Sequence, residues 1–198
     1  MFGEGDYEEA ERVIQQLLVE AGDESVGQDL VTLDASNARG AEVAADWNHL
    51  ASGENYVGYE RTESFASPGG VVFGERRAYT VPARLERNEW ALSGEWTMER
   101  GFVALNEANG RIAYRFHARD LHLVMGPATP ATSVRFRIFL DGQPVGAAHG
   151  GDVDEQGEGV VSEQRLHQLI RQPGYIADRT FEIEFLDAGV EAYTFTFG

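Results

Sequence analysis

The segment "RIAYRFHARDLHLVMGP", residues 111–127, begins as a regular β-strand and then changes phase. Tyr114 and Phe116 alternate with polar or small residues, which predicts one apolar face toward a core. In the same register Asp120 and His122 would point into that core, and the apolar residues that alternate with them would point into water. Because a slip of one residue turns every following side chain to the other face of a sheet, the segment needs a device that restores its apolar face.

We expect this device to be a β-bulge at Ala118–Asp120, because an inserted residue restores the register of a strand. The predicted bulge gathers four polar side chains on the outer face of the sheet: His117, Arg119, Asp120 and His122. Two interpretations of this cluster stay open. It is a binding site, since bulges are enriched beside sites, or it is a structural Arg–Asp ion pair that fixes the bend.

The charge and the composition exclude several classes of function. The chain has 33 acidic residues against 16 arginines and no lysine, and its net charge of −17 repels phosphate backbones. We therefore expect no nucleic-acid partner. The absence of cysteine removes disulfides, thiolate metal sites and thiol redox chemistry. No apolar run approaches the roughly 18–20 residues of a membrane span, and no signal peptide opens the sequence, so we expect no direct membrane insertion.

Short alternating segments separated by turn signals predict the fold of residues 51–198. In "SVRFRIFLDGQPV", residues 133–145, apolar and arginine positions alternate up to a turn at Asp141–Gly142, and "TFEIEFLD", residues 180–187, alternates in the same way. This pattern predicts a mainly β fold, a jelly-roll-like antiparallel β-sandwich. We expect one short internal helix in "SEQRLHQLIRQPG", residues 162–174, because its apolar residues follow a helical spacing.

The N-terminal part of the chain is of a different kind. Residues 6–21 form an apolar stripe with acidic residues in the first turn, which predicts an amphipathic helix. We expect residues 1–22 to hold this helix and residues 23–50 to be a linker with one short strand around Leu30–Leu33. The stripe has no second helix to cover it. It is therefore expected to pack on the sandwich of residues 51–198 or to pair with another copy as a homodimer.

Five separated blocks of the sequence resemble the C-terminal domain of DipZ-type thioredoxin-like proteins. They are "YVGYERTESFASPGG" (56–70), "NEWALSGEWTM" (88–98), "RFHARDLHLVMGP" (115–127), "LHQLIRQPG" (166–174) and "TFEIEFLDAGVEAYTFTFG" (180–198). In addition, "FGEGDYEEAERVIQQLL", residues 2–18, resembles the last helix of the thioredoxin domain in that family. The chain then is either a fragment of a longer protein or a separate module that kept this helix.

The resemblance implies a function and a location. Proteins of this family, which act in thiol-disulfide chemistry and cytochrome c biogenesis, pair a membrane-embedded part with an extracytoplasmic thioredoxin domain, and a carbohydrate-binding-module-like sandwich follows. We therefore expect an extracytoplasmic, non-catalytic module that binds carbohydrate such as cell-envelope glycan; a cytoplasmic location stays open. The Cys-x-x-Cys site of the thioredoxin domain is absent here, so the redox activity is not carried over. The alternative is a structural or interaction module that docks a thioredoxin domain or its clients without binding sugar.

A sugar site needs aromatic faces and planar polar groups. The candidate ligand-binding residues are Tyr56, Tyr59, Arg61, Trp90, His117, Arg119, Asp120, His122, Arg171 and Gln172. Trp90 stands beside charged neighbours and is either an exposed platform or a buried edge of the core, whereas Trp96 is expected in the core.

Metal binding is a further alternative. We expect no catalytic residue in this chain. The loop of residues 150–159 carries Asp152, Asp154, Glu155 and Glu158, whose oxygens suit a structural calcium ion. An acidic hairpin tip held in solvent explains the same residues. A cupin-type metalloenzyme built on His117 and His122 is less favoured, because two histidines alone are a poor set of ligands. No cofactor is expected apart from the calcium ion.

Overall fold

The N-terminal unit contains the predicted helix. The computed structural model describes residues 7–23, 26–27, 29–30 and 44–198, and contacts divide the chain into two compact units, residues 1–38 and 39–198. Helix α1 spans Tyr7–Glu20 and confirms the predicted amphipathic helix. A short strand is predicted around Leu30–Leu33, but residues 31–33 lie outside the described residues. Within the described part of the chain, no helix has the length and apolar character needed to cross a membrane.

The second unit is built almost entirely from antiparallel strands. Twelve strands are described: β1 (Asn55–Tyr56), β2 (Arg76–Tyr79), β3 (Trp90–Met98), β4 (Val103–Leu105), β5 (Gly110–Phe116), β6 (Asp120–Pro127), β7 (Val134–Leu140), β8 (Gln143–Pro144), β9 (Glu158–Val161), β10 (Arg165–Arg171), β11 (Arg179–Phe185) and β12 (Val190–Phe197). Among the described residues of this unit, one 3₁₀ turn, Gly146–Ala148, lies between β8 and β9. The mainly β, jelly-roll-like sandwich expected from the sequence is confirmed.

The strands form two sheets that share β3. The first sheet has the order β10-β6-β12-β4-β3, with β1 beside β12 and β2 beside β3. The second sheet has the order β3-β5-β11-β7, with β8 and β9 beside β7. Residues Trp90–Ser93 of β3 pair with β5 and residues Trp96–Met98 pair with β4, so β3 bends from one sheet into the other at Gly94.

The core lies between these sheets and is strongly aromatic. The largest fully buried side chains include Trp90, Trp96, Tyr114, Phe116, Phe136, Phe181, Phe185 and Phe195. Burial of such side chains is the main favourable term in folding, and each contributes about 1.5–3 kcal/mol relative to an exposed position. The inward alternation predicted for β7 and β11 is confirmed. The turn predicted at Asp141–Gly142 joins β7 to β8 directly, and both of its residues have positive φ angles, as a two-residue hairpin requires.

The phase change in the opening segment has a different cause from the predicted bulge. Strand β5 ends at Phe116 in the second sheet, and β6 begins at Asp120 in the first sheet. The prediction of a bulge at Ala118–Asp120 is therefore wrong, because residues 117–119 carry the chain across the sandwich instead. Each strand then faces the core from its own side.

The prediction of a short internal helix in residues 162–174 is also wrong. Residues Arg165–Arg171 form β10, which pairs with β6 along its length. The pairing register shifts between Gln168 and Ile170, so Leu169 is an extra residue. This bulge buries Leu169 and Ile170 side by side and produces the spacing of apolar residues that a helix also has.

Candidate functional site

Strands β6 and β10 place four polar side chains on one face of the first sheet. In the pairing register Asp120 lies opposite Arg171, and His122 lies opposite Gln168. Asp120 and His122 share a face because they are two residues apart. Gln168 and Arg171 are three residues apart and would face opposite sides of a regular strand, but the bulge at Leu169 returns both to the same side.

A nearby loop packs beside this face and forms a cavity with it, open on one side. His149 forms a bridge with Ile170, and the amide of Gly150 donates a hydrogen bond to the carbonyl of Leu169 at 2.8 Å. The resulting cavity has a volume of about 340 Å³ and is lined by Asp120, His122, His149, Gly150, Gly151, Gln168, Ile170 and Arg171. Its volume is in the range of small-molecule sites, about 300–1,000 Å³.

Asp120 is the centre of an ion-pair cluster at one end of the cavity. Its side chain is buried and accepts hydrogen bonds from Arg171 Nε at 2.6 Å and from Arg171 Nη2 at 3.0 Å. Arg119 Nε donates to the same carboxylate at 2.8 Å, while Arg119 Nη2 donates to the carbonyl of Ala44. Asp120 and His122 point away from the core, as predicted, but they are only 1% and 6% exposed rather than open to water. The structural Arg–Asp pair and a cavity are therefore both present at this place.

The two histidines of the cavity have different environments. His122 Nδ1 is sealed from solvent and has no hydrogen-bond partner among the described residues. Burial lowers the pKa of His122 below its usual 6.5, and the nearby charge of Arg171 acts in the same direction, although Asp120 opposes it. The ring is therefore neutral at pH 7. His149 Nδ1 lies 3.0 Å from the carbonyl oxygens of both Gly150 and Val153.

The other candidate residues lie elsewhere. His117 pairs with Asp178, with Nδ1 and Oδ1 2.6 Å apart. The Gln172 side chain ties two loops together by donating to the carbonyls of Ala118 and Ala177. Trp90 is fully buried, so the interpretation as an exposed platform is wrong and the buried edge is confirmed, as is the core position of Trp96.

Tyr56 and Arg61 line a second cavity of about 320 Å³ together with Glu54, Asn55 and Glu63. The Arg61 guanidinium lies 3.6 Å from the centre of the Tyr56 ring, so it covers the ring face on which a sugar would stack. Tyr59 packs on Phe73 with ring centres 4.8 Å apart. These aromatic residues are therefore engaged within the protein.

The residues proposed for calcium are used in hydrogen bonds of the chain. Asp152 accepts from Arg165 at 2.7 Å and from the amide of Gln168 at 2.7 Å. Burial alone would raise the pKa of Asp152, but these two contacts lower it. Asp154 accepts from the amides of Gln156 and Glu158, and Glu155 and Glu158 are exposed. In the described ranges, no group of three or more His, Asp or Glu side chains is arranged to hold a metal ion.

Five of the eight residues that line the cavity were not among the candidates from the sequence: His149, Gly150, Gly151, Gln168 and Ile170. His149, Gly150 and Gly151 belong to a loop, and only the pairing of this loop with β10 brings them to the site. The adjacent glycines were the available signal, because glycine marks places where one backbone approaches another closely. A Cβ atom at Gly150 would overlap the carbonyl of Gln168. Two exposed aromatic residues were also missed: Tyr175, 87% exposed, four residues after Arg171, and Trp47, 68% exposed, three residues after Ala44.

Comparisons with known proteins give one family match and distant relatives. A family model described as the thioredoxin-like C-terminal domain matches residues 52–198. Protein DipZ of Mycobacterium bovis (strain ATCC BAA-935 / AF2122/97) is 26% identical over 198 residues, which is 100% of this chain and 25% of that protein. Protein DipZ of Mycobacterium tuberculosis (strain CDC 1551 / Oshkosh) gives the same values. The chain thus spans about a quarter of the length of these relatives.

Among solved structures, a family two carbohydrate esterase from Cellvibrio japonicus matches with a TM-score of 0.42 and 9% identity. This match covers 55% of this chain and 30% of the esterase chain.

Proposed function

Because the chain belongs to the thioredoxin-like C-terminal domain family, we propose that it is a non-catalytic module that binds carbohydrate, such as cell-envelope glycan, beside an extracytoplasmic thioredoxin-like thiol-disulfide protein. The chain contains no cysteine, so any thiol-disulfide chemistry belongs to another domain or chain. The relatives called Protein DipZ are about four times as long as this chain, which leaves room for such a domain.

The cavity between β6, β10 and residues 149–151 is the observation that carries this proposal. Sugar hydroxyls are recognised by planar polar groups, and the C–H faces of a sugar pack on apolar surface. The cavity offers the imidazoles of His122 and His149 and the amide of Gln168. The Gln168 side chain has no hydrogen-bond partner within the part of the chain that the structure describes, and it is therefore available to a ligand.

The charges at the cavity also favour an uncharged ligand. The carboxylate of Asp120 is held by two arginines, and Asp152 is held by Arg165. Groups that are already paired have little to gain from a charged ligand, since new pairing would have to replace a good contact. Asp120 and its arginines therefore shape the cavity rather than bind the ligand by charge.

The test is binding of the intact chain to a glycan array, with and without calcium, followed by titration calorimetry with any glycan that binds. Gln168→Ala removes a cavity amide without touching the core, so we expect weaker binding by about five- to tenfold, equivalent to about 1–1.4 kcal/mol. Gln143→Ala, at an exposed position outside the cavity, is the matched control. Failure of every glycan to bind under both conditions contradicts the carbohydrate proposal, and so does an equal loss of affinity in the two variants.

One observation favours the second function, a protein-interaction module. The apolar residues of α1, Val13, Ile14, Leu17, Leu18 and Val19, are 43–58% exposed. A helix with such a face binds a partner, here a thioredoxin domain, one of its client proteins or a second copy of this chain. Sedimentation velocity on the intact chain tests the homodimer. If copies pair through α1, Leu17→Glu gives monomers while Gln16→Glu, on another face of the helix, leaves the dimer intact. A chain that is monomeric before substitution contradicts the homodimer.

A further inference from the structure

The hydrogen-bond partners of His149 fix the position of its ring proton. Its Nδ1 lies 3.0 Å from two carbonyl oxygens, those of Gly150 and Val153. Carbonyl oxygens only accept hydrogen bonds, so Nδ1 must be the donor. In the neutral ring the other nitrogen, Nε2, then carries a lone pair. His149 therefore presents an acceptor at the edge of the ring that is not bound to the loop.

The surroundings of His122 place its ring proton on the other nitrogen, Nε2. Its Nδ1 is buried and has no partner among the described residues. A buried N–H without an acceptor is rarer than an under-used acceptor, because an orphaned donor loses its full hydration. The proton is therefore on Nε2 and the lone pair is on the sealed Nδ1. Since His122 lines the cavity and is neutral, it presents a donor there.

We propose that His122 and His149 are held in opposite tautomers and together recognise a hydroxyl group, so that the cavity selects neutral hydroxylated ligands. This inference rests on the proposed carbohydrate function and deepens it. A hydroxyl group accepts from His122 Nε2–H and donates to His149 Nε2 at the same time. A carboxylate cannot donate to His149, and an ammonium group cannot accept from His122. Either charged group leaves one imidazole unpaired.

The remaining lining agrees with this selection. Gln168 adds an uncharged amide group, which both donates and accepts hydrogen bonds. The two charged residues of the lining, Asp120 and Arg171, are bound to each other. The ligand is therefore recognised by matching donors and acceptors on neutral groups.

The tautomers are measured directly by NMR on the intact ¹⁵N-labelled chain, using long-range correlations between ring nitrogens and ring protons. The signals of the five histidines are assigned with His→Gln variants. At neutral pH we expect the Nδ1–H form for His149 and the Nε2–H form for His122. The same tautomer in both rings, or a protonated His122, overturns the inference without reference to any sugar.

Three probes with one ring skeleton test the selection: methyl glucoside, glucuronate and glucosamine, with methyl galactoside, methyl mannoside and N-acetylglucosamine as further neutral sugars. We expect a neutral sugar to move the Nε2 signals of both histidines and to bind at least about tenfold more tightly than the two charged probes. If neutral sugars bind without moving the Nε2 signal of either histidine, or if both charged probes bind as tightly as methyl glucoside, the donor–acceptor selection is overturned while the carbohydrate function stands. If no neutral sugar binds, both are overturned.

Variants of His149 separate its ligand contact from a structural role. His149→Leu removes the acceptor, and we expect about tenfold weaker binding of the best neutral sugar. His149→Gln keeps an amide oxygen near the place of Nε2 and is expected to restore most of this loss. His49→Gln, an exposed position paired with Asp46, is the matched control and leaves binding unchanged. Equal binding by the Leu and Gln variants contradicts the proposed acceptor.

Discussion

Replacing Asp120 by Asn tests how much the buried ion-pair cluster contributes to stability. The substitution keeps the size of the side chain but removes its charge and one acceptor oxygen. Four guanidinium nitrogens lie within 3.0 Å of the carboxylate, two of Arg171 and two of Arg119. In the variant, the amide NH₂ group faces these donors, so at least one hydrogen bond becomes a contact between two donors.

The magnitude follows from the burial of the three groups. The Asp120 side chain is 2% exposed, whereas the side chains of Arg119 and Arg171 are 21% and 28% exposed. Breaking a buried ion pair by removing one partner costs about 3–5 kcal/mol. Because both arginines can turn partly into water, we expect the lower end, about 3 kcal/mol. With a urea m-value of about 2 kcal/mol/M, the unfolding midpoint then falls by about 1.5 M.

The assay is equilibrium unfolding in urea, followed by tryptophan fluorescence, with Asp187→Asn as the matched control. Asp187 has the same kind of pairing, with Arg135 Nε and Nη2 at 2.9 and 2.8 Å, but at an exposed site. We expect a much smaller shift of the midpoint there, since solvent screens exposed pairs. If Asp120→Asn is too unstable to purify, Arg119→Gln replaces it and is expected to shift the midpoint more than Arg135→Gln. Equal shifts at the buried and the exposed pair would refute the reasoning.

Two further predictions concern acid stability and the glycines of the cavity. Burial lowers the pKa of both His122 and His167 below 6.5, so the unfolded chain binds protons first as the pH falls. We expect the urea concentration at the unfolding midpoint to decrease as the pH is lowered from about 7 to about 5. The decrease should be smaller in His167→Gln, and a midpoint that does not change with pH contradicts this prediction. Gly150→Ala forces a Cβ onto the carbonyl of Gln168 and is expected to cost about 1–3 kcal/mol. Gly151→Ala meets only the Gln168 side chain, at 3.6 Å, so its midpoint should stay unchanged; equal shifts would contradict the geometry.

The alternation of β7 and β11 could be predicted from the sequence because one face of each strand is sealed by the core. Arg135 and Arg137 alternate with apolar residues along β7, and a strand that buries one face tolerates only one register. For the same reason the apolar residues after His117 predicted correctly that Asp120 and His122 point away from the core. Such alternation depends only on which face of a strand is buried, and the order of apolar and polar residues along the strand shows this directly.

The cause of the phase change could not be predicted in the same way. A bulge within one strand and a crossing between two sheets both shift the apolar set by one residue. The choice depends on which strands pair, and those partners are distant in sequence: β5 pairs with β11, whereas β6 pairs with β10 and β12. The prediction of an internal helix was wrong for a related reason. A bulged strand and a helix both place apolar residues at the spacing of Leu166, Leu169 and Ile170.

The candidate site depends on both irregularities together. The crossing at residues 117–119 starts β6 at Asp120, and the extra residue at Leu169 keeps Gln168 and Arg171 on one face of β10. Without that residue, one of the two would point to the other side of the sheet, so either the ion pair with Asp120 or the amide of the cavity would be lost. The bulge expected beside Asp120 therefore lies on the neighbouring strand, and it still marks the site. A bulge strains and bends its strand. Here it places Arg171, which pairs with Asp120, and the neutral amide of Gln168 on the same face of β10.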